Sequence, residues 1–495
     1  MARSCGTCRD RRISCDRALP GCTQCAKGNR ACKGYGVRLS WPKRNDAKRA
    51  MVGRASRQSA ARQASRPYLV NATTWDIMMH QYLVGSLPDN YAHLFVDFGP
   101  MPFSQKIFDD GDAELLEYFQ HAATKSLATL SQDPTELGTM LMRLAYTSNT
   151  PSALAVRHAI LCLASVHRYG LQSQAMSHKI ASIRSLKLAS TNEIGGTEAT
   201  QHVAAGMLLC TIEIDKASCT SGQWRWYVTG VKRLLNAICP ARCEEDGIVK
   251  ALMAWAQYHD VLARFSSLHW RHNIIAQAFP TDPNIMAKWC HRPHLREEVD
   301  DPTPVLNSTP SFLNSLLVLF AKGCDVLSTI MTKDSPGVLD VDSESPESLQ
   351  NIISELKALL FDTDPDTTTP TIHLFHLACV IYLSRTSPAH SNHETENETS
   401  LLIYRAFSIM STLPACERQF PLAILGFEAR TDDERGLIMD LVARTEKKVS
   451  SRSLFLTATL VKRVWVQDDL AGGQLDYGRK LSAILGVCGI LPPFV

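Results

Sequence analysis

Six of the first 32 residues are cysteines, and one spacing is used twice: Cys5-x2-Cys8-x6-Cys15, six intervening residues, then Cys22-x2-Cys25-x6-Cys32. A segment this small, with Ile13, Leu19 and Val37 almost its only large aliphatic side chains, cannot build a hydrophobic core. Thiolate ligation of a metal is the alternative source of folding energy. Zinc takes four ligands in a tetrahedron, so two ions need eight sulfur bonds, and six cysteines supply them only if two sulfurs bridge both metals. The spacing therefore predicts a binuclear zinc cluster with two ions per chain. A disulfide framework would need an oxidising compartment, and Met1-Ala2-Arg3-Ser4 opens no apolar signal segment.

Charge is divided between the two ends of the chain. Residues 1–66 hold 17 Lys and Arg against 3 Asp and Glu, a net of +14, while residues 67–495 hold 35 against 46, a net of −11. The modest overall +3 thus conceals a basic arm suited to phosphates and an acidic body. The basic arm is where the cysteines sit.

Inside the cysteine pattern, the run Cys8-Arg9-Asp10-Arg11-Arg12-Ile13-Ser14-Cys15-Asp16 places three arginines on an expected short helix after the first cysteine pair. Together with Pro20, two residues before the fourth cysteine, this segment resembles the fungal Zn2Cys6 transcription factors over roughly the first 42 residues. That family docks a helix in the major groove and reads a short GC-rich, CGG-like half-site on double-stranded DNA. The resemblance implies one zinc on Cys5, Cys8, Cys15 and Cys22 and the other on Cys5, Cys22, Cys25 and Cys32. It also implies that Arg12 reaches the bases, where an arginine can donate twice to guanine O6 and N7. Arg9, Arg11, Lys27 and Arg30 are assigned to phosphates, which set register without reading sequence. Ser14 departs from the family, which usually has a basic residue before the third cysteine. A zinc module used for protein contact is the rival reading, and the arginine-rich loop argues against it.

Beyond the cluster, Gly34-Tyr35-Gly36 to Trp41-Pro42 resembles the branch of the acriflavine-sensitivity control protein, and Lys43, Arg44, Lys48, Arg49, Arg54, Arg57, Arg62 and Arg66 follow. Residues 43–66 are polar, alanine-rich and basic, which predicts a flexible linker, with Lys43 and Arg44 as DNA backbone contacts or part of a nuclear import signal. Apolar a and d heptad positions are missing there, so no coiled coil is expected after the cluster. The chain is expected to bind as a monomer or to dimerise through its body.

Residues 67–495 have helical periodicity nearly throughout, which predicts an all-α body. Thr150 caps a helix with Pro151 in its first turn; Ala155, Ala159, Leu163 and Val166 repeat along it until Gly170 stops it. Val228, Val231, Leu235 and Ile238 mark a second helix, and Thr369-Pro370 opens a third through Ile372, Phe375, Cys379 and Leu383. Asp112 to Phe119, Arg168-Tyr169-Gly170 and Trp224-Arg225-Trp226-Tyr227 resemble the fungal-specific regulatory domain found behind many Zn2Cys6 modules. Breaks are expected at 334–348, 362–370 and 388–399, as loops within one domain. The domain plan is thus 1–42, 43–66 and 67–495.

Other features point to less. His373/His376 and His291/His294 are pairs without the third protein ligand a catalytic zinc needs. Trp224 and Trp226 are candidates for an effector pocket but are expected in core or interface. The acidic run Asp340, Asp342, Glu344 and Glu347 is expected as a solvated loop rather than a recruiting surface. Ten further cysteines, Cys162, Cys210, Cys379 and Cys488 among them, sit in apolar helical runs as buried thiols. No nucleophile–base motif, phosphate-binding loop or H-E-x-x-H helix is present, so no enzyme is expected. No apolar run of about 18 residues is free of charge or turn signals, so no membrane span is expected. The whole predicts a nuclear regulator of RNA polymerase II genes, with co-regulators as partners of the body and secondary metabolism or drug tolerance as the expected field. The alternative is a small-molecule-sensing helical body whose output is the DNA module.

Overall fold

The computed structural model of the chain describes residues 5, 7–8, 11, 13–16, 18, 21–32, 70, 72–85, 111–127, 129–130, 133–191, 196–215, 223–242, 247–270, 312–333, 346–362, 369–387, 393–448, 452–471, 475–486 and 491–495. They fall in two compact units, Met1–Val52 and Gly53–Val495. Every regular element among the described residues is helical. The smaller unit holds α1 (Thr23–Lys27) and is built around sulfur rather than aliphatic side chains.

The larger unit begins with α2 (Thr74–Leu83), closed at its start by a reciprocal capping box between Thr73 and Asp76. Then come α3 (Asp112–His121), α4 (Pro134–Tyr146), α5 (Pro151–Tyr169), α6 (Ser173–Ala189), α7 (Gly196–Asp215), α8 (Trp224–Arg242) and α9 (Gly247–His269). The Thr150 hydroxyl does accept from Ala153 N, Pro151 stands in the first turn, and Gly170 stops α5 at φ 75°, a conformation that favours glycine. Helix α7 is buried on all sides from Ala199 to Ile214, so α5, α8 and α9 can pack around it.

The second half continues with α10 (Phe312–Lys333), α11 (Pro346–Asp362), α12 (Pro370–Thr386), α13 (His393–Thr412), α14 (Gln419–Glu428), α15 (Asp432–Lys448), α16 (Arg452–Leu470) and α17 (Tyr477–Gly486). Thr369 caps α12 as its sequence predicts. Two apolar clusters form the interior. One lies among α3–α9; the other runs mainly through α9–α17 and takes in Cys210 and Ile214 of α7 and Trp224 and Val228 of α8, while α9 gives Leu252, Trp255 and Ala256 to the first and Tyr258, Leu262 and Phe265 to the second. Helix α10 is long and apolar enough to cross a membrane. Leu316, Phe320 and Cys324 on it are nevertheless buried in the second cluster, and its Asp325 pairs with Arg264 of α9, as in a core helix.

Residues 491–495 close the larger unit without forming a helix. All five are buried; Trp224 Nε1 donates to Leu491 O at 3.1 Å and Ser266 Oγ to Pro492 O at 2.6 Å. Phe494 packs edge-on against Phe265.

Two expected breaks differ from the structure. Helix α11 starts at Pro346, inside the 334–348 break, with Glu347 in its first turn; proline and an acidic residue suit a helix start. Helix α13 starts at His393, inside 388–399. Its polar opening reads as loop by composition, yet Thr399, Ala406 and Met410 lie on a buried face at helical spacing. Asp340, Asp342 and Glu344 lie outside the described residues.

Candidate metal centre and nucleic-acid interface

The smaller unit is organised by hydrogen bonds to sulfur. Cys22 stands at the N-cap of α1 and its Sγ accepts from Cys25 N at 3.3 Å. In the first half of the repeat, Cys5 Sγ accepts from Cys8 N at the same 3.3 Å. Each C-x2-C pair is therefore turned by the same local bond. Asn29, at φ 50°, reverses the chain after α1, which asparagine tolerates better than most residues, and Arg30 N then bonds back to Cys25 O at 3.0 Å.

Two straps tie the halves together. The Asp16 carboxylate accepts from Thr23 N at 3.1 and 3.0 Å and from Thr23 Oγ1 at 2.6 Å. The Thr23 hydroxyl and amide hold its pKa below the usual carboxylate range. Thr7 Oγ1 donates to Ala31 O at 3.0 Å. Sequence reasoning missed both straps; the signal for the first is an acidic residue directly after the third cysteine and a threonine that opens α1 directly after the fourth.

These bonds bring the sulfurs together. Cys5, Cys8, Cys15 and Cys22 converge with Sγ atoms within 4.8 Å of one another, and so do Cys5, Cys22, Cys25 and Cys32. Cys5 and Cys22 belong to both sets. Their Sγ atoms are 3.5 Å apart, Cys8 lies 3.5 Å from Cys22, and Cys25 lies 3.7 Å from Cys5. Disulfide bonds would need about 2.05 Å. A tetrahedral zinc with bonds of about 2.3 Å spaces its sulfurs about 3.8 Å apart, so the cage fits that ion. Burial and the neighbouring sulfurs push the Cys8 thiol up, and burial raises Cys22. Only a strong local positive charge makes such a group of thiolates stable, and two dications would supply it.

Of the basic residues expected at DNA, Arg11, Lys27 and Arg30 are described and all three are exposed; Lys27 sits in the last turn of α1. Arg9, Arg12, Lys43 and Arg44 lie outside the described residues, as does Pro20. Among the described residues no other group of three or more His, Cys, Asp or Glu converges. His376 instead donates from Nε2 to Leu356 O at 2.8 Å within the core, and His291 and His294 lie outside the described residues. Trp224 is a core residue, 2% exposed, whereas Trp226 is 53% exposed, so the two do not line one pocket. Cys162, Cys210, Cys324, Cys379 and Cys416 are buried thiols outside any disulfide; Cys488 lies outside the described residues.

Comparison with known proteins places both units. Residues 3–42 match the family described as Fungal Zn(2)-Cys(6) binuclear cluster domain, a domain that binds two zinc ions. Residues 114–483 match Fungal specific transcription factor domain. The chain is 34% identical over 387 residues to Transcription factor iacI of Pestalotiopsis fici, covering 78% of this chain and 95% of that protein. It is also 46% identical over 39 residues to Arginine metabolism regulation protein II of Saccharomyces cerevisiae, covering 8% of this chain and 4% of that one. No solved structure matches. These families are transcription factors and not enzymes. With a sulfur cage built for two metals ahead of an all-helical body, the chain belongs to the fungal Zn(2)-Cys(6) binuclear cluster transcription factors, DNA-binding regulators of transcription.

Proposed function

We propose that this regulator acts in the nucleus on RNA polymerase II genes and reads a GC-rich, CGG-like half-site through the segment that follows Cys8. The observation that carries the reading is the pair of four-sulfur sets sharing Cys5 and Cys22, with exposed Arg11, Lys27 and Arg30 around it. In this reading Cys5 and Cys22 bridge the two zinc ions, and Cys8, Cys15, Cys25 and Cys32 are terminal ligands. Six thiolates and two dications leave a net charge of about −2 on the cluster, which the surrounding arginines and lysines offset before any phosphate arrives.

Arg12 takes the base-reading role, with two donors matched to guanine O6 and N7. Arg9, Arg11, Lys27, Arg30, Lys43 and Arg44 meet phosphates, which give grip and register without sequence preference. The domains run 1–42, 43–66 and 67–495. Any dimer forms through the helical body, which also receives co-regulators. A secondary-metabolite gene cluster or drug tolerance is the proposed field of control.

The test is fluorescence anisotropy of the zinc-loaded full chain on a CGG duplex and on its scrambled counterpart, over a range of salt. Arg12→Ala should remove about 1–3 kcal/mol of discrimination between the two. Arg44→Ala should weaken both alike and lower the salt slope by about one unit. Equal loss on both duplexes for Arg12→Ala overturns its reading role, and equal wild-type affinity for both overturns the half-site.

A further inference from the structure

Among the described residues, three lysines or arginines are at least nine-tenths buried: Arg418, Arg435 and Lys480, at 9%, 5% and 2% exposure. Arg435 grips Asp469 through two bonds of 2.9 and 2.8 Å, and Lys480 holds Asp468 at 2.5 Å. Arg418 has no such partner. Its Nε is sealed from solvent with no hydrogen-bond partner, and among the described residues its guanidinium faces the ring of Tyr258, with the centroid 6.0 Å away. The Tyr258 hydroxyl is itself buried and unpartnered. A buried cation without a counter-charge is unfavourable, and an orphaned donor beside it adds to that.

The surroundings are largely aromatic, and the acidic neighbour, half-buried Glu417, makes no ion pair with Arg418. Tyr258 packs against Phe375, and Phe375 against Phe420. His259 is buried next in sequence, donating Nδ1–H to Trp255 O at 3.0 Å, and Cys416 is buried two residues before the arginine. Arg418 is also the N-cap of α14, where it makes no side-chain capping bond, and the first turn of that helix has no acidic residue. The helix terminus therefore adds positive character of the same sign.

We propose that Arg418 and the Tyr258 hydroxyl form the anion-holding end of a site in the helical body for a small organic carboxylate. One positive charge and one neutral hydroxyl donor balance a single negative charge; a phosphate dianion would leave uncompensated charge beside the aromatic rings. The site does not rest on the DNA reading, and it gives the sensing alternative for the body a chemical class of ligand.

The experiment is calorimetric titration and thermal shift on the full chain with acetate, hexanoate, benzoate and phenylacetate, each beside its neutral amide, with chloride and inorganic phosphate as further arms. Expected is a saturable stabilisation by at least one carboxylate and none by its amide. Arg418→Met should weaken that affinity about thirtyfold or more. Tyr258→Phe, which removes only the unpartnered oxygen, should weaken it roughly fivefold and keeps the test decisive if the arginine variant does not fold. The site is overturned if no carboxylate in the panel acts, if amide and carboxylate act alike, if chloride or phosphate acts more strongly, or if neither substitution weakens the effect.

Discussion

Adding a methyl group should stabilise the chain at one glycine and not at another. Gly426 lies in α14, where a Cβ would meet the two Cγ atoms of Val461 on α16 at 2.7 and 2.8 Å and its Cβ at 3.3 Å. Rotation of Val461 cannot clear the space, because both branches crowd it and a valine in a helix has one strongly preferred rotamer. The helices must part, which also pulls on the 2.6 Å bond from Trp465 Nε1 to Gly426 O. Overpacking of this kind costs about 1–3 kcal/mol, against a gain of about 1 kcal/mol in helix propensity. Gly436 in α15 is exposed and a Cβ there meets nothing within 4 Å, so Gly436→Ala keeps the gain alone. The two variants should differ by roughly 1–3 kcal/mol, with wild type between them or level with Gly426→Ala. Urea unfolding of the three full-length proteins, followed by circular dichroism, ranks their midpoints. A Gly426→Ala midpoint at or above that of Gly436→Ala would refute the close α14–α16 contact as the reason for glycine.

Zinc content separates shared from unshared sulfurs. Cys32→Ser leaves the set Cys5, Cys8, Cys15 and Cys22 whole and should retain about one ion per chain by native mass spectrometry, whereas Cys22→Ser breaks both sets and should retain none; equal content in the two variants removes the sharing. Acid should weaken the helical body. Burial pulls His259 and His376 down to about 4, against about 6.5 when unfolded. The unfolded chain then binds protons first, so stability is complete above about pH 6.5 and declines toward pH 4, by roughly 2 kcal/mol per histidine at pH 5. A urea midpoint that does not change between pH 7.5 and pH 5 contradicts this.

What was legible in the sequence was local. Thr150-Pro151 and Gly170 mark both ends of α5 because capping is decided within a few residues, and the cysteine intervals fix which sulfurs a short chain can bring together. The Thr73/Asp76 box was as plain a signal and marks a helix that periodicity had not picked out. The rest depends on contacts made far along the chain. Nothing near Arg418 reveals that it stays unpaired while Arg435 finds Asp469, 34 residues away. The opening of α13 misled because composition reports the solvent face, and only the buried face carries the helix.

The burial of residues 491–495 has a consequence for biosynthesis. Their partners Ser266 and Trp224 lie 226 and 267 positions earlier, so α8 and α9 leave the ribosome long before the segment that covers them. Until Leu491 to Val495 are made, apolar surface around Trp224 and Phe265 stays open to chaperones and proteases. Prematurely terminated chains ending just short of Leu491 would keep that surface uncovered, which marks them for removal even though their cysteine cage and every helix described, the last ending at Gly486, are already encoded.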